Sequence, residues 1–281
     1  MADRNGRESP HRSVETGPWP FITLRLYQHG GRHFDWRARD HRKGLFRQRR
    51  GLEHVHAPIW QRAFYNWLTG LVFVIGATLF MTGSAMALFP AIVAGLPAWT
   101  TNATFFAGSI PFTTAAYLQL FQAANADEKH TSGKVPPALF GRDIKSPGWL
   151  SASTQFIGTI AFNFNTFDTI IAPSHWGIQD LVIWLPGMIG SVLFLVSGYL
   201  AYIEVGHAHM SLPKRDLSWW IAAINLLGCI TFMIASTLAY IPARPEAPWI
   251  MALSNANLWF GAFCFFVGAA LSMREARNAA R

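Results

Sequence analysis

From residue 64 onward the chain alternates long apolar runs with short polar breaks. The clearest pair lies between Ser218 and Met273: SWWIAAINLLGCITFMIASTLAYIP, the break ARPEAP, then WIMALSNANLWFGAFCFFVGAALSM. Each run reaches the roughly 20 helical residues needed to cross a hydrocarbon core of roughly 30 Å. Two similar pairs lie upstream, so the pattern predicts an all-α membrane protein with six transmembrane helices. The spans fall at Tyr65–Phe89, Thr101–Ala123, Trp149–Ala172, Leu181–Val205, Ser218–Ile241 and Trp249–Met273. Residues 1–63 are polar and basic and form a separate N-terminal region. Met1–Gly17 reads as disordered, being polar and without periodicity. Beyond it, PFITLRLY and FDWRARDH alternate around Gly30-Gly31 and predict a short hairpin lying beside the membrane.

The apolar runs share an internal spacing. In the first helix of each pair a Trp is followed after nine residues by Gly, then after four by Phe, after four by Ser/Thr, and later by Pro. This is met by Trp67, Gly76, Phe80, Ser84, Pro90; by Trp149, Gly158, Phe162, Thr166, Pro173; and by Trp219, Gly228, Phe232, Ser236, Pro242. The second helices align as Gly108, Phe112, Ala115, Gln122; Gly190, Phe194, Ser197, Glu204; and Gly261, Phe265, Gly268, Glu275. Residues four apart share one helix face. Small residues mark contact faces between helices in lipid. Gly76, Gly158, Gly228, Gly108, Gly190 and Gly261 are therefore expected at helix crossings. Two spans per copy return the chain to the same side, so the three hairpin repeats (about 65–123, 149–205 and 218–273) are parallel, which excludes an inverted-repeat transporter.

Charge orients this arrangement. Of the 23 Lys and Arg, only Arg244 falls in a link on the far side of the predicted spans. The positive-inside rule then places both termini in the cytoplasm, with 1–63 as a basic cytoplasmic region and 64–281 as the membrane domain. A chain that is only 14% charged, against about 25% in soluble proteins, fits an integral membrane protein. No apolar h-region precedes residue 64, so the first span is expected to act as its own insertion signal. Cys229 and Cys264 lie in mid-span and are expected to be buried thiols rather than a disulfide.

Three parallel two-helix units also characterise mitochondrial carriers, but the Pro-x-Asp/Glu-x-x-Lys/Arg signature is missing after Pro90, Pro173 and Pro242. The segments Trp149–Asn163, Trp184–Leu200 and Trp219–Ser236 instead resemble the YrhK-like integral membrane domain, an uncharacterised bacterial two-helix unit. The resemblance covers the second and third hairpins well and the first more loosely. It implies the helical-hairpin fold, a bacterial inner-membrane location and no particular activity. Family members often carry an acidic residue where this chain has Gly187.

Polar side chains inside the spans are the candidate site. Asp168 is the acid farthest inside a predicted span, and an ionisable group there is costly unless it has a role. Asn163, Asn165 and Gln155 share its helix, and Asn225 precedes Gly228 as Gln155 precedes Gly158. Interhelical hydrogen bonding accounts for these residues equally well. Glu204 and His207 form a single Glu-x-x-His, read as a solvated helix end rather than a metal site. No cofactor, metal or catalytic set is indicated, and no nucleic-acid motif accompanies the basic N-terminal region. Its expected partners are the bilayer and anionic lipid headgroups; a protein partner or homo-oligomer stays open. The leading expectation is a non-enzymatic membrane protein with a structural, regulatory or interaction role. The alternatives are a small permease or channel with a polar path around Asp168 and, more distantly, a membrane redox or lipid-modifying enzyme.

Overall fold

The computed structural model describes residues 12–29, 32–45, 57–212, 216–240, 242 and 247–280, and the chain is mostly helical. The N-terminal region departs from the all-α class. Strands β1 (Arg12–Thr16), β2 (Leu24–His29) and β3 (Arg32–Arg37) form an antiparallel sheet in that order. Residues 12–16, expected to be disordered, are thus a strand. The remainder of that expectation, residues 1–11, and the turn at Gly30-Gly31 lie outside the described residues. In β1, Val14 faces Leu26, while Glu15 opposes Arg25 and pairs with it at 3.1 Å. This gives the strand both an apolar and an ionic cross-strand contact. FDWRARDH does not stay extended: β3 ends at Arg37, and helix α1 (Ala38–Lys43) begins. α1 stops at Gly44, whose φ of 68° suits glycine and whose missing side chain lets the Gln61 backbone approach.

Six long helices follow: α2 (Ala63–Leu88), α3 (Thr100–Ala124), α4 (Pro147–Ile170), α5 (Leu185–Gly206), α6 (Leu217–Leu238) and α7 (Pro248–Ala279). Ser146 caps α4 by accepting from the Trp149 amide at 3.2 Å, and Asp216 caps α6 by accepting from the Ser218 amide at 3.0 Å. The segment before α5 is helical too, beginning at Trp176 and passing through a π-helical turn at Asp180–Trp184. Four helices, Ala63–Leu88, Trp176–Gly206, Leu217–Leu238 and Pro248–Ala279, are long and apolar enough to cross a membrane. α3 and α4 are of similar length but hold more hydroxyl and amide side chains.

Each long helix packs on its neighbours in sequence, and α7 closes against α2, so the six form a ring. At its centre stand Phe80, Phe112, Phe162, Phe194, Phe232 and Phe265, all buried. Within each hairpin the two rings meet closely: Phe80–Phe112 at 5.3 Å, Phe162–Phe194 at 5.0 Å and Phe232–Phe265 at 5.1 Å between centroids. Phe232 and Phe265 also join the three pairs, Phe232 to Phe80 and Phe162 and Phe265 to Phe112 and Phe194. The six glycines one turn before these rings lie at the helix crossings. A Cβ on Gly76 would stand 2.6 Å from the Phe112 ring, on Gly158 2.9 Å from Phe194, on Gly190 2.7 Å from Phe162, and on Gly108 3.0 Å from Phe80. A Cβ on Gly228 would stand 3.0 Å from the Gly261 carbonyl oxygen, and one on Gly261 would meet the Phe232 ring. Backbones approach because the glycines leave room, and the phenylalanines fill that room.

Candidate functional site

On one side of the phenylalanine cluster the ring encloses a cavity of about 110 Å³. Its wall repeats by position around the ring. Phe73, Gln155 and Asn225, each three residues before a crossing glycine, all face it; so do Gln119, Ala201 and Ser272 on the second helices. A single water needs about 10–15 Å³ of such volume, so several waters or a small solute fit. Towards the opposite end the phenylalanines close the axis, with a void of only about 10 Å³ among them.

The other mouth is covered by α1. Arg39, Arg42 and Lys43 line the cavity from this short helix and reach carboxylates on the C-terminal ends of α5 and α7. Arg39 donates from Nη1 to Glu275 Oε1 at 2.7 Å and from Nη2 to Oε2 at 2.8 Å, the bidentate geometry of a strong guanidinium–carboxylate pair. Lys43 Nζ donates to Glu275 Oε2 at 3.3 Å, and Arg42 Nη2 to Glu204 Oε2 at 2.6 Å. At the third aligned position, Gln122 donates to the Trp60 carbonyl and, at 2.9 Å, to Asn66 Oδ1. The sheet is held to the same end: Arg37 pairs with Asp216 at 3.1 Å, and His207 Nδ1 meets Thr23 Oγ1 at 2.9 Å. Burial and the neighbouring Arg39 push the Lys43 ammonium down to about 8, against the pull of Glu275.

The residue just before each Trp of the first helices belongs to this cap. Asn66 bonds Gln122, and Ser218 donates to Glu275 Oε1 at 2.6 Å while accepting from Arg39 Nη1 at 2.8 Å. The corresponding residue on α4 is Gly148, beside Glu204 and Arg42.

The five polar residues singled out by the sequence do not form one site. Gln155 and Asn225 line the axial cavity. Asn163 accepts from Thr113 Oγ1 at 3.1 Å, joining α4 to α3. Asn165 donates to the Ile183 carbonyl at 2.7 Å, serving a backbone group of the π-helical turn. Gly187 makes room for that amide, since a Cβ there would lie 2.8 Å from Asn165 Nδ2. Asp168 is half-buried, one turn after the exposed Phe164 and away from the buried Phe162–Thr166 stripe; it does not touch the cavity. A polar path around Asp168 therefore finds no counterpart at this cavity.

Glu204 is 1% exposed and ion-paired, so the expected solvated helix end is instead an interior contact. Three basic residues of the N-terminal region, Arg39, Arg42 and Lys43, likewise pair within the protein. The signal that could have found them is the aligned Gln122, Glu204 and Glu275: two of the three positions hold an acid that needs a cation when buried. Both cysteines are free and buried. No group of three or more His, Cys, Asp or Glu among the described residues is placed to hold a metal. The chain matches no family model, no curated protein and no solved structure.

Proposed function

We propose that this chain is a six-span, non-enzymatic regulatory protein of the bacterial cytoplasmic membrane. Three like-oriented hairpin repeats of the YrhK-like kind surround an axial chamber, and the N-terminal region is the cytoplasmic cap that keeps it shut. The observation that carries this proposal is closure from both sides: six phenylalanines at one end, and Arg39, Arg42 and Lys43 on Glu204 and Glu275 at the other.

Membrane insertion of α3 and α4 is supported by their outward faces. Ile110 on α3 and Ile157, Ile160 and Phe164 on α4 are exposed apolar side chains in the same ring as the four more apolar helices. Most of their threonines are internally satisfied, with Thr104, Thr114, Thr154 and Thr169 donating to carbonyls one turn back. That removes much of the cost of carrying hydroxyls into lipid. The chamber wall is apolar in large part, with the amides of Gln119, Gln155 and Asn225, the hydroxyl of Ser272 and the cations of the cap set into it, so that water or a solute would find hydrogen-bond partners at fixed points.

A small permease is the second candidate, favoured by the axial position of the chamber. Its path would have to cross the phenylalanine cluster rather than pass Asp168. Ion and solute flux in proteoliposomes separates the two. Regulation by a closed cap predicts background flux for wild type; flux above background in wild type, whether or not Asp168→Asn lowers it, would overturn it in favour of the permease.

A further inference from the structure

The mouth of the chamber carries more positive than negative charge. Arg39, Arg42 and Lys43 line it from α1, and the carboxylates that meet them are Glu204 and Glu275. Glu275 is shared, taking two bonds from Arg39 and one from Lys43. Asp40, the acid of α1, is half-buried and not part of the wall. Among the described residues, then, three cations face two carboxylates, an excess of one positive charge. At pH 7 the Lys43 ammonium, held near 8, is still mostly protonated, so the excess persists. Charge taken out of water is costly without a counter-charge.

Hydrogen-bond donors accompany that charge. Arg42 spends Nη2 on Glu204; its Nη1 donates to no described residue and, unlike Nε, is not enclosed. Deeper than the cap, Gln119, Gln155 and Asn225, one from each hairpin, face the same chamber, and their amides form no hydrogen bond to other described residues. A side-chain amide offers two N–H groups and a guanidinium five, so this set can surround an anion with donors. A cation would meet like charge instead, and would find both Glu275 oxygens engaged and Glu204 Oε1 packed beside Gly148.

We infer that the chamber is a binding site for one small monovalent anion of chloride size, held by Arg42 and by the amides of Gln119, Gln155 and Asn225. One negative charge balances the excess at the mouth. A divalent anion would leave a charge unbalanced in a wall that is apolar in large part. A single water needs about 10–15 Å³ of such volume, so about 110 Å³ admits an ion of this size with several waters.

The site lies in the chamber of the proposed function but depends on neither the regulatory role nor the membrane orientation, so binding is measured on detergent-solubilised full-length protein. Equilibrium dialysis with radiolabelled chloride in gluconate buffer is expected to show saturable binding of one ion per chain, undiminished by an equal concentration of sulfate. Lys43→Met balances the charges while leaving the Arg39–Glu275 and Arg42–Glu204 pairs in place, and is expected to weaken binding about tenfold or more. Gln155→Leu, remote from the cap, is expected to weaken it several-fold while thermal unfolding stays cooperative. No saturable binding to wild type, or displacement of chloride by equimolar sulfate, would overturn the inference. So would wild-type affinity in folded Lys43→Met, or in Gln155→Leu should the first variant not fold. Flux in proteoliposomes, at background or above, leaves these outcomes unchanged, which separates failure here from failure of the regulatory role.

Discussion

Arg39 and Glu275 stand 236 residues apart in the chain and share two parallel hydrogen bonds of 2.7 and 2.8 Å. The pair fastens the first helix of the protein to the last, at the mouth of the axial chamber. Lys43 adds a third bond to the same carboxylate, so Glu275 is where the cap depends most on a single side chain.

Glu275→Gln should therefore loosen the cap. It keeps the shape but leaves Arg39 and Lys43 facing a neutral amide, and breaking one partner of a buried pair costs about 3–5 kcal/mol. Trypsin cleavage after Arg39 and Lys43 is expected to become much faster in the variant than in wild type. Equal cleavage rates would show that the pair does not hold α1 in place.

Lys43 makes the stability depend on pH. In the unfolded chain its ammonium titrates near the ordinary 10.5, and in the folded cap near 8. Between those values the unfolded state holds more protons, so stability rises with pH. Arg39 and Arg42 on the same helix and Glu275 on α7 are the charged groups that face it. The melting temperature of wild type should rise relative to that of Lys43→Met between pH 8 and 10.5, by up to the equivalent of about 3 kcal/mol. Parallel curves would remove the effect.

Hydroxyl pairs join the hairpins on the far side of the phenylalanines. Thr166 donates to Ser109 at 3.3 Å, and Ser191 bonds Ser236 at 2.5 Å. The aligned pair at the third junction is Ser84 and Ala262, and Ser84 Oγ is buried without a partner. Ala262→Ser should supply it and raise stability by about 0.6 kcal/mol, the average for hydrogen bonds between membrane helices. A lowered melting temperature would contradict the equivalence of the three junctions.

Gly261→Ala tests the crossings. The added methyl would press on the Phe232 ring, which itself packs against four other members of the central cluster. Overpacking of this kind costs about 1–3 kcal/mol. A neutral substitution would mean that the helices are farther apart than the structure has them.

Much of the helical architecture was legible because it is periodic. Gly76, Gly158 and Gly228, with Phe four residues on, mark one face by local spacing alone, and those faces meet at the axis. The cap was not legible for the opposite reason. Arg42 finds Glu204, and Arg39 finds Glu275, across separations of 162 and 236 residues, and no local pattern records such a pairing. β1 escaped notice because RSVET is short and mostly polar, so its strand character comes from pairing with β2. Asp168 drew attention as an acid inside a span, yet the structure spends its interior polar groups elsewhere. Gln155 and Asn225 face the chamber, while Asn163 and Asn165 satisfy neighbouring helices.

The proposed regulatory role assumes three hairpins crossing the membrane in one orientation with the cap in the cytoplasm. Reporter fusions measure this directly. Fusions after Ala94, Ser174 and Ala243 are expected to report the outer side, and a fusion after Arg281 the cytoplasm. A cytoplasmic signal from any of the first three would contradict the six-span arrangement.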